Sequence, residues 1–165
     1  MIKNGQIVGA AEEERFSRLK HDNRFPSNAV AYCLRQAGIE ISQVDYVCFY
    51  EKPFLKFERI LYSALGTFPH SFRFFVQSLP VWIKEKLWMP QLIKKKLGYQ
   101  GEILFIDHHL SHAASSFLVS PFDKAVILTL DAVGEWTTTA YGYGKGNQIT
   151  LEKEIDFPHS LGMFY

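Results

Sequence analysis

His108 and His112 stand four residues apart in the run Asp107-His-His-Leu-Ser-His112. The apolar residues Ile103–Ile106 before them read as a short strand, and residues 108–118 as a helix. On a helix that spacing stacks two imidazoles on one face, about one turn apart. Neutral imidazoles suit iron, zinc, manganese or nickel. The pair equally fits surface histidines, or a helix N-terminus that holds an anion. Asp107 is placed to cap the helix by accepting a backbone N–H. His109 points to another side of the helix and is the weaker candidate. Asp131 offers a third ligand. It ends Lys124–Asp131, the most strand-like run of the chain, which reads as buried. Sheets in α/β proteins gather ligands at the C-terminal ends of their strands. The turn Asp131-Ala-Val-Gly134 follows, then Thr137-Thr-Thr139. Amides and hydroxyls in such a turn can cradle phosphate. An ordinary hairpin turn that opens on Asp has the same look.

Several elements must position these residues. Asn4-Gly5 is a turn signal with no strand expected before it, and residues 6–16 begin as a strand. The acidic run Glu12-Glu-Glu14 then meets Arg15, Arg18 and Lys20. A helix opens at Pro26 or Ser27, carries an apolar stripe through Ala29, Val30, Cys33, Leu34 and Ala37, and ends at Gly38. Val44–Tyr50 is rich in strand formers. Strand, helix and strand in this order predict an α/β layer. Residues 51–100 differ in character. They hold nine Lys/Arg against three Asp/Glu, a local excess of +6, interleaved with aromatics such as Phe54, Phe57, Tyr62, Phe74, Trp82 and Trp88. They predict a helical insertion broken at Gly66, Pro69, Pro80 and Pro90, suited to a lid, a substrate lobe or a subunit interface. Aromatics in a core with solvated lysines outside would look the same. After the histidine helix, residues 124–131, 137–144 and 148–156 predict three strands joined by tight turns. Lys3-Asn-Gly-Gln-Ile-Val and Lys145-Gly-Asn-Gln-Ile-Thr echo one another, each followed by an acidic exit.

The 165 residues suit one domain or two small lobes, and 47% hydrophobic content suffices for a core. A net charge of +1 selects no partner by charge alone. Cys33 and Cys48 match no zinc spacing and read as a buried, reduced pair of a cytoplasmic protein. No apolar window is long enough for a spanning helix. Both ends read as cut, which predicts a piece of a longer protein.

Glu12-Glu-Glu-Arg-Phe-Ser-Arg, Lys20-His-Asp, Asp107-His-His-Leu-Ser-His-Ala-Ala-Ser, Asp131-Ala-Val-Gly-Glu-Trp and Phe157-Pro-His-Ser-Leu-Gly together resemble the NodU/CmcH-type O-carbamoyltransferases. The resemblance runs along essentially the whole chain. It implies an α/β fold: residues 1–165 as part of an actin-like ATPase (ribonuclease H-like) domain of the Kae1 type, with a mixed sheet and the helical insertion 51–100. It implies a reaction in which ATP and carbamoyl phosphate give a carbamoyl-adenylate, whose carbamoyl group passes to a hydroxyl of a small molecule or sugar. His108, His112 and Asp131 are implied ligands of a divalent metal, iron foremost. Lys20 is an implied contact to the carbamoyl or phosphate group. Asp131, Gly134 and Glu135 are implied neighbours of the nucleotide. The family's catalytic His is expected upstream of Met1, and Ala132 stands where the family commonly has Gly. No nucleic-acid partner is expected, and a homo-oligomer is compatible.

Two other readings stay open. A Kae1-type relative acting on tRNA fits the basic segment 51–100. An inactive module that binds a partner through its aromatic helices fits the same residues.

Overall fold

In a computed structural model the structure describes every residue except Asn23, Glu85 and Tyr165, and every side chain of those but Phe74. The sequence expectation for Phe74 as part of the aromatic insertion lies outside the described side chains. The elements run β1 (Ile2–Lys3), β2 (Gln6–Ile7), α1 (Glu14–Ser17), α2 (Ser27–Ala37), β3 (Tyr46–Phe49) and α3 (Pro53–Gly66). They continue with α4 (Phe72–Lys84), α5 (Met89–Leu97), β4 (Glu102–Phe105) and α6 (His108–Phe117). The chain closes with β5 (Lys124–Leu130), β6 (Thr137–Lys145), β7 (Gln148–Asp156) and α7 (Leu161–Phe164). This is an α/β chain. Its described strands form three small sheets, β1–β2, β3–β4 and β5–β6–β7, where a mixed sheet is expected. Strands of two and four residues provide few ladder bonds and do not extend a larger sheet. No helix of the described residues is long and apolar enough to cross a membrane.

The chain divides into two compact units, residues 1–47 with 89–103, and residues 48–88 with 104–165. Of residues 51–100, α3 and α4 group with the second unit and α5 with the first.

In the first unit, β1 precedes the Asn4-Gly5 turn and pairs antiparallel with β2. The strand not expected there exists because two residues suffice to close the hairpin. α2 spans the expected residues and ends on Gly38. Its free N-terminal amides are taken by a distant side chain. Glu13 Oε2 accepts from Ala29 N at 2.9 Å and Glu13 Oε1 from Asn28 N at 3.3 Å, and the Asn28 side-chain Nδ2 donates to Oε1 as well, at 2.6 Å. The Ala29 amide bond leads in holding the Glu13 carboxyl below its ordinary pKa, against an opposing push from burial. The acidic run thus serves as a helix cap and not only as a partner for nearby arginines. Tyr99, 1% exposed, places its hydroxyl 2.8 Å from Asp45 O and 3.1 Å from Glu102 O, tying the exit of α5 to the approach of β3.

In the second unit, β5–β6–β7 is an antiparallel meander with Lys124 opposite Lys145 and Leu130 opposite Thr139. α6 lies on one face, where Ala113, Phe117 and Ile127 make a core with Ala125, Ile149 and Leu151. The period-2 alternation sends Val126 and Leu128 to the other face, opposite Tyr143 and Tyr141. Val126 is 83% exposed, so β5 is half-buried and not the fully buried strand its composition predicts. α4 runs through Pro80, which does not break it. Proline forfeits one backbone donor, and the flanking turns carry the helix past it. Pro90 lies inside the first turn of α5, where a missing N–H costs nothing. The cysteines are free, but Cys48 is exposed, because β3 turns Tyr46 and Cys48 outward and Val47 and Phe49 inward.

Candidate metal centre

β4 hands the chain to α6, so His108 is the first helical residue and His112 follows one turn on. Their Nε2 atoms stand 3.2 Å apart. β5 ends at Leu130 and delivers Asp131, whose Oδ2 lies 2.9 Å from His108 Nε2. One ligand atom from each of His108, His112 and Asp131 lies within 4.8 Å of the others. The spacing that stacked the imidazoles thus gains the carboxylate the sequence placed at the strand end.

These donors fit a cation. Imidazole nitrogens about 2.0–2.1 Å from a shared ion, at octahedral to tetrahedral angles, stand roughly 2.9–3.4 Å apart. The two nitrogens and the carboxylate oxygen present lone pairs to one small volume. A proton on His108 Nε2 satisfies Asp131 but leaves that nitrogen no lone pair for His112. His108 Nδ1 is buried without a hydrogen-bond partner among the described residues, so nothing on that side selects the tautomer. His112 is exposed while His108 and Asp131 are partly buried, which leaves the centre open on one side.

The Asp131 turn is built to hold its carboxylate. Asp131 Oδ1 accepts from Ala132 N at 2.7 Å and Oδ2 from Gly134 N at 2.8 Å. Burial pushes the Asp131 pKa up. The Ala132 amide, His108 and the Gly134 amide outweigh burial, and the carboxyl stays below its ordinary value. The Gly134 amide is therefore engaged by Asp131. Gly134 has φ +58°, and a Cβ there would sit 1.9 Å from Thr137 O. Beneath the turn, Ser160 Oγ donates to Asp131 O at 3.1 Å. A Cβ on Gly162 would come within 2.4 Å of the same oxygen, so α7 lies directly against the Asp131 peptide.

Glu135 is buried at 7% exposure and works at two helix starts. One carboxylate oxygen accepts from Lys52 N, at the entry to α3, and the other from His108 N at 3.4 Å. A carboxylate suits both positive helix ends. Asp107, expected to cap α6, makes no cap bond and instead pairs with Lys52 Nζ at 2.6 Å. The Lys52 ammonium holds the Asp107 side chain away from the helix start, and Glu135 accepts from His108 N instead. A cavity of about 380 Å³ opens here, lined in part by Asp107, His108, Glu135, Trp136 and Glu154.

His109 is part of the scaffold, as its place on the helix suggests. It is 3% exposed, with Nδ1 2.6 Å from Thr129 Oγ1 and Nε2 2.8 Å from Thr137 O. Burial leads in lowering its pKa, so the ring is neutral. The carbonyl can only accept, which puts the proton on Nε2 and makes Nδ1 the acceptor of the Thr129 hydroxyl. Lys20 belongs to the first unit and is exposed. Sequence reasoning missed Glu135 as a double cap, Ser160 as a brace and Arg59, a buried cation on α3. Arg59 shares i, i+4, i+7 spacing with Leu55 and Tyr62, but those two are themselves exposed, so the spacing marks no burial.

Comparison with known proteins supports one family. The carbamoyltransferase N-terminus family model matches residues 1–165. An uncharacterized protein of Synechocystis is 47% identical over all of this chain and 28% of its own length. The nodulation protein NolNO of Sinorhizobium fredii is 31% identical over all of this chain and 23% of its own length. An uncharacterized protein of Methanocaldococcus jannaschii is 26% identical, again over all of this chain and 26% of its own length. The chain spans about a quarter of the length of these relatives. It belongs to the carbamoyltransferase N-terminal family.

Proposed function

We propose that this chain is the N-terminal part of an ATP-dependent O-carbamoyltransferase with an actin-like ATPase fold. Carbamoyl phosphate loses its phosphate to water and the resulting carbamate attacks the ATP α-phosphate, releasing pyrophosphate and leaving carbamoyl-adenylate; the hydroxyl of a small molecule or sugar then attacks the carbamoyl carbon, with AMP leaving and the hydroxyl proton lost. The observation that carries the reading is the convergence of His108, His112 and Asp131, from two separate elements, in a chain of this family.

The donor set, two imidazoles and one carboxylate, suits a divalent metal such as iron. When bound, a metal there supplies Lewis acidity to a substrate oxygen. The chain's own residues do the rest. Ala132 and Gly134 amides keep Asp131 ionised and aimed. Glu135 fixes the start of α6, and so the position of His108. His109 anchors the back of α6 to β5 and β6. Lys20 serves in this reading as a mobile positive charge for the carbamoyl or phosphate group. Gly134 and Glu135 border the nucleotide.

The test is titration of the metal-free chain with Fe²⁺ under anaerobic conditions and with Mn²⁺, by calorimetry. We expect one ion per chain, and an affinity at least about tenfold weaker in His112→Ala, which removes an exposed ligand with little effect on folding. Equal affinity in the variant and the parent would sink the metal reading.

A further inference from the structure

α3 brings a buried cation to the same part of the second unit. Arg59 is 8% exposed, and its Nε has no hydrogen-bond partner among the described residues. Its guanidinium lies 5.1 Å from the centre of the Phe157 ring. Phe157 N donates to Trp136 O at 2.8 Å, so that ring is fastened to the end of the Asp131–Trp136 turn. Tyr62, one turn beyond Arg59, packs on the Trp136 ring at 5.9 Å between centroids. Leu55, one turn before it, lines the cavity bordered by His108 and Glu135. Arg59 is thus held between two contacts to the metal turn.

No described carboxylate lies within ion-pair distance of this guanidinium. Burial leads in pulling its pKa down, and the charge of Asp131 acts in the opposite sense from farther off. A buried cation without a paired anion is an unfavourable arrangement for a resting protein, and an anion that arrives in the site relieves it. A guanidinium presents a planar fork of donors that matches two oxygens of one phosphate.

We propose that Arg59 binds a phosphoryl oxyanion beside the His108–His112–Asp131 centre. The choice of phosphate over other anions rests on the carbamoyl-transfer reading, whereas the anion site itself rests on the geometry of Arg59. Two sources share this chemistry, a nucleotide phosphate and a free or acyl phosphate.

The experiment titrates the metal-free chain with inorganic phosphate and with AMP, for the parent, Arg59→Gln and Arg59→Lys. Mn²⁺ titrations of the same proteins run beside it. We expect Arg59→Gln to weaken anion binding at least about tenfold, the loss of a charge-assisted pair. Arg59→Lys keeps the charge but not the fork, and is expected to lose at least about threefold. Mn²⁺ affinity in both variants is expected to hold or tighten, because positive charge near Asp131 is removed or moved. A purely structural arginine, resting on Phe157 alone, would lower Mn²⁺ and anion binding together through misfolding. Tighter binding of AMP than of phosphate assigns the anion to the nucleotide, and the reverse assigns it to the smaller phosphate. The proposal is overturned if the parent binds neither probe, or if a variant that retains Mn²⁺ binding matches the parent with both. Should Arg59→Gln not fold, unchanged anion affinity in Arg59→Lys overturns it alone. Absence of Mn²⁺ binding in the parent, with anion binding lost in Arg59→Gln, removes the metal reading and keeps the anion site.

Discussion

Replacing Gly134 by Ala tests the geometry of the Asp131 turn, and Gly146 provides its control. Both glycines hold left-handed backbone, at φ +58° and +56°. Putting a Cβ on left-handed backbone costs about 1–2 kcal/mol. At Gly146 that is the whole effect, since nothing lies within 4 Å of the added carbon. At Gly134 the carbon would fall 1.9 Å from Thr137 O and 3.1 Å from its carbonyl carbon. The obstacle is backbone and cannot rotate away. Thr137 O also accepts from His109 Nε2 at 2.8 Å, and Gly134 N donates to Asp131 Oδ2. Relief of the clash therefore strains one bond or the other, adding about 1–3 kcal/mol of overpacking. The expected totals are about 1–2 kcal/mol for Gly146→Ala and about 2–5 kcal/mol for Gly134→Ala. Urea unfolding with matched m-values reads both. If the two variants agree within about 0.5 kcal/mol, the close approach of Gly134 to Thr137 is wrong and the argument for a rigid Asp131 turn goes with it.

Two further outcomes follow from groups away from His108, His112 and Asp131. Glu13 has a depressed carboxyl pKa, so its stabilisation is present above the ordinary glutamate value of about 4.3 and is lost as pH falls through the lower folded value. The melting-temperature gap between the parent and Glu13→Gln should be open at neutral pH and close in acid; a gap independent of pH would contradict the capping role. Thr138 is fully buried, its hydroxyl 2.6 Å from His159 O and 3.0 Å from Ile155 O. Thr138→Val keeps the shape but removes the single hydroxyl proton those carbonyls share, at a cost of about 1–3 kcal/mol by denaturant titration, and a change near zero would show that another donor replaces it.

Local chemistry made much of this chain legible. The boundaries of α2 were written in Ser27 and Gly38, and the meander in the alternation from Lys124 to Asp156. His108 and His112 declared themselves by helical spacing, and Asp131 by its place after β5. What escaped depends on long-range contact. Glu135 and Glu13 are ordinary acidic residues until folding carries them to helix ends far along the chain. Asp107 had the right type and position for a cap, yet Lys52, 55 residues away, drew it off. Arg59 read as one more charge in a basic segment, because burial of a cation leaves no mark in composition. Pro80 misled in the other direction, since a single lost donor does not end a helix that continues on both sides.

The contact of α7 with the Asp131 peptide bears on how this chain is best cut or probed. Residues 160–163 belong to no sheet, so a protease nick between β7 and α7 would leave the meander and its core standing. It would also free the Asp131 carbonyl from Ser160 and remove Gly162 from the peptide it lies against. A trimmed fragment of that kind would look folded by circular dichroism and yet hold its carboxylate loosely. The Ser160–Met163 turn therefore belongs inside any fragment meant to keep the Asp131 carboxylate in place.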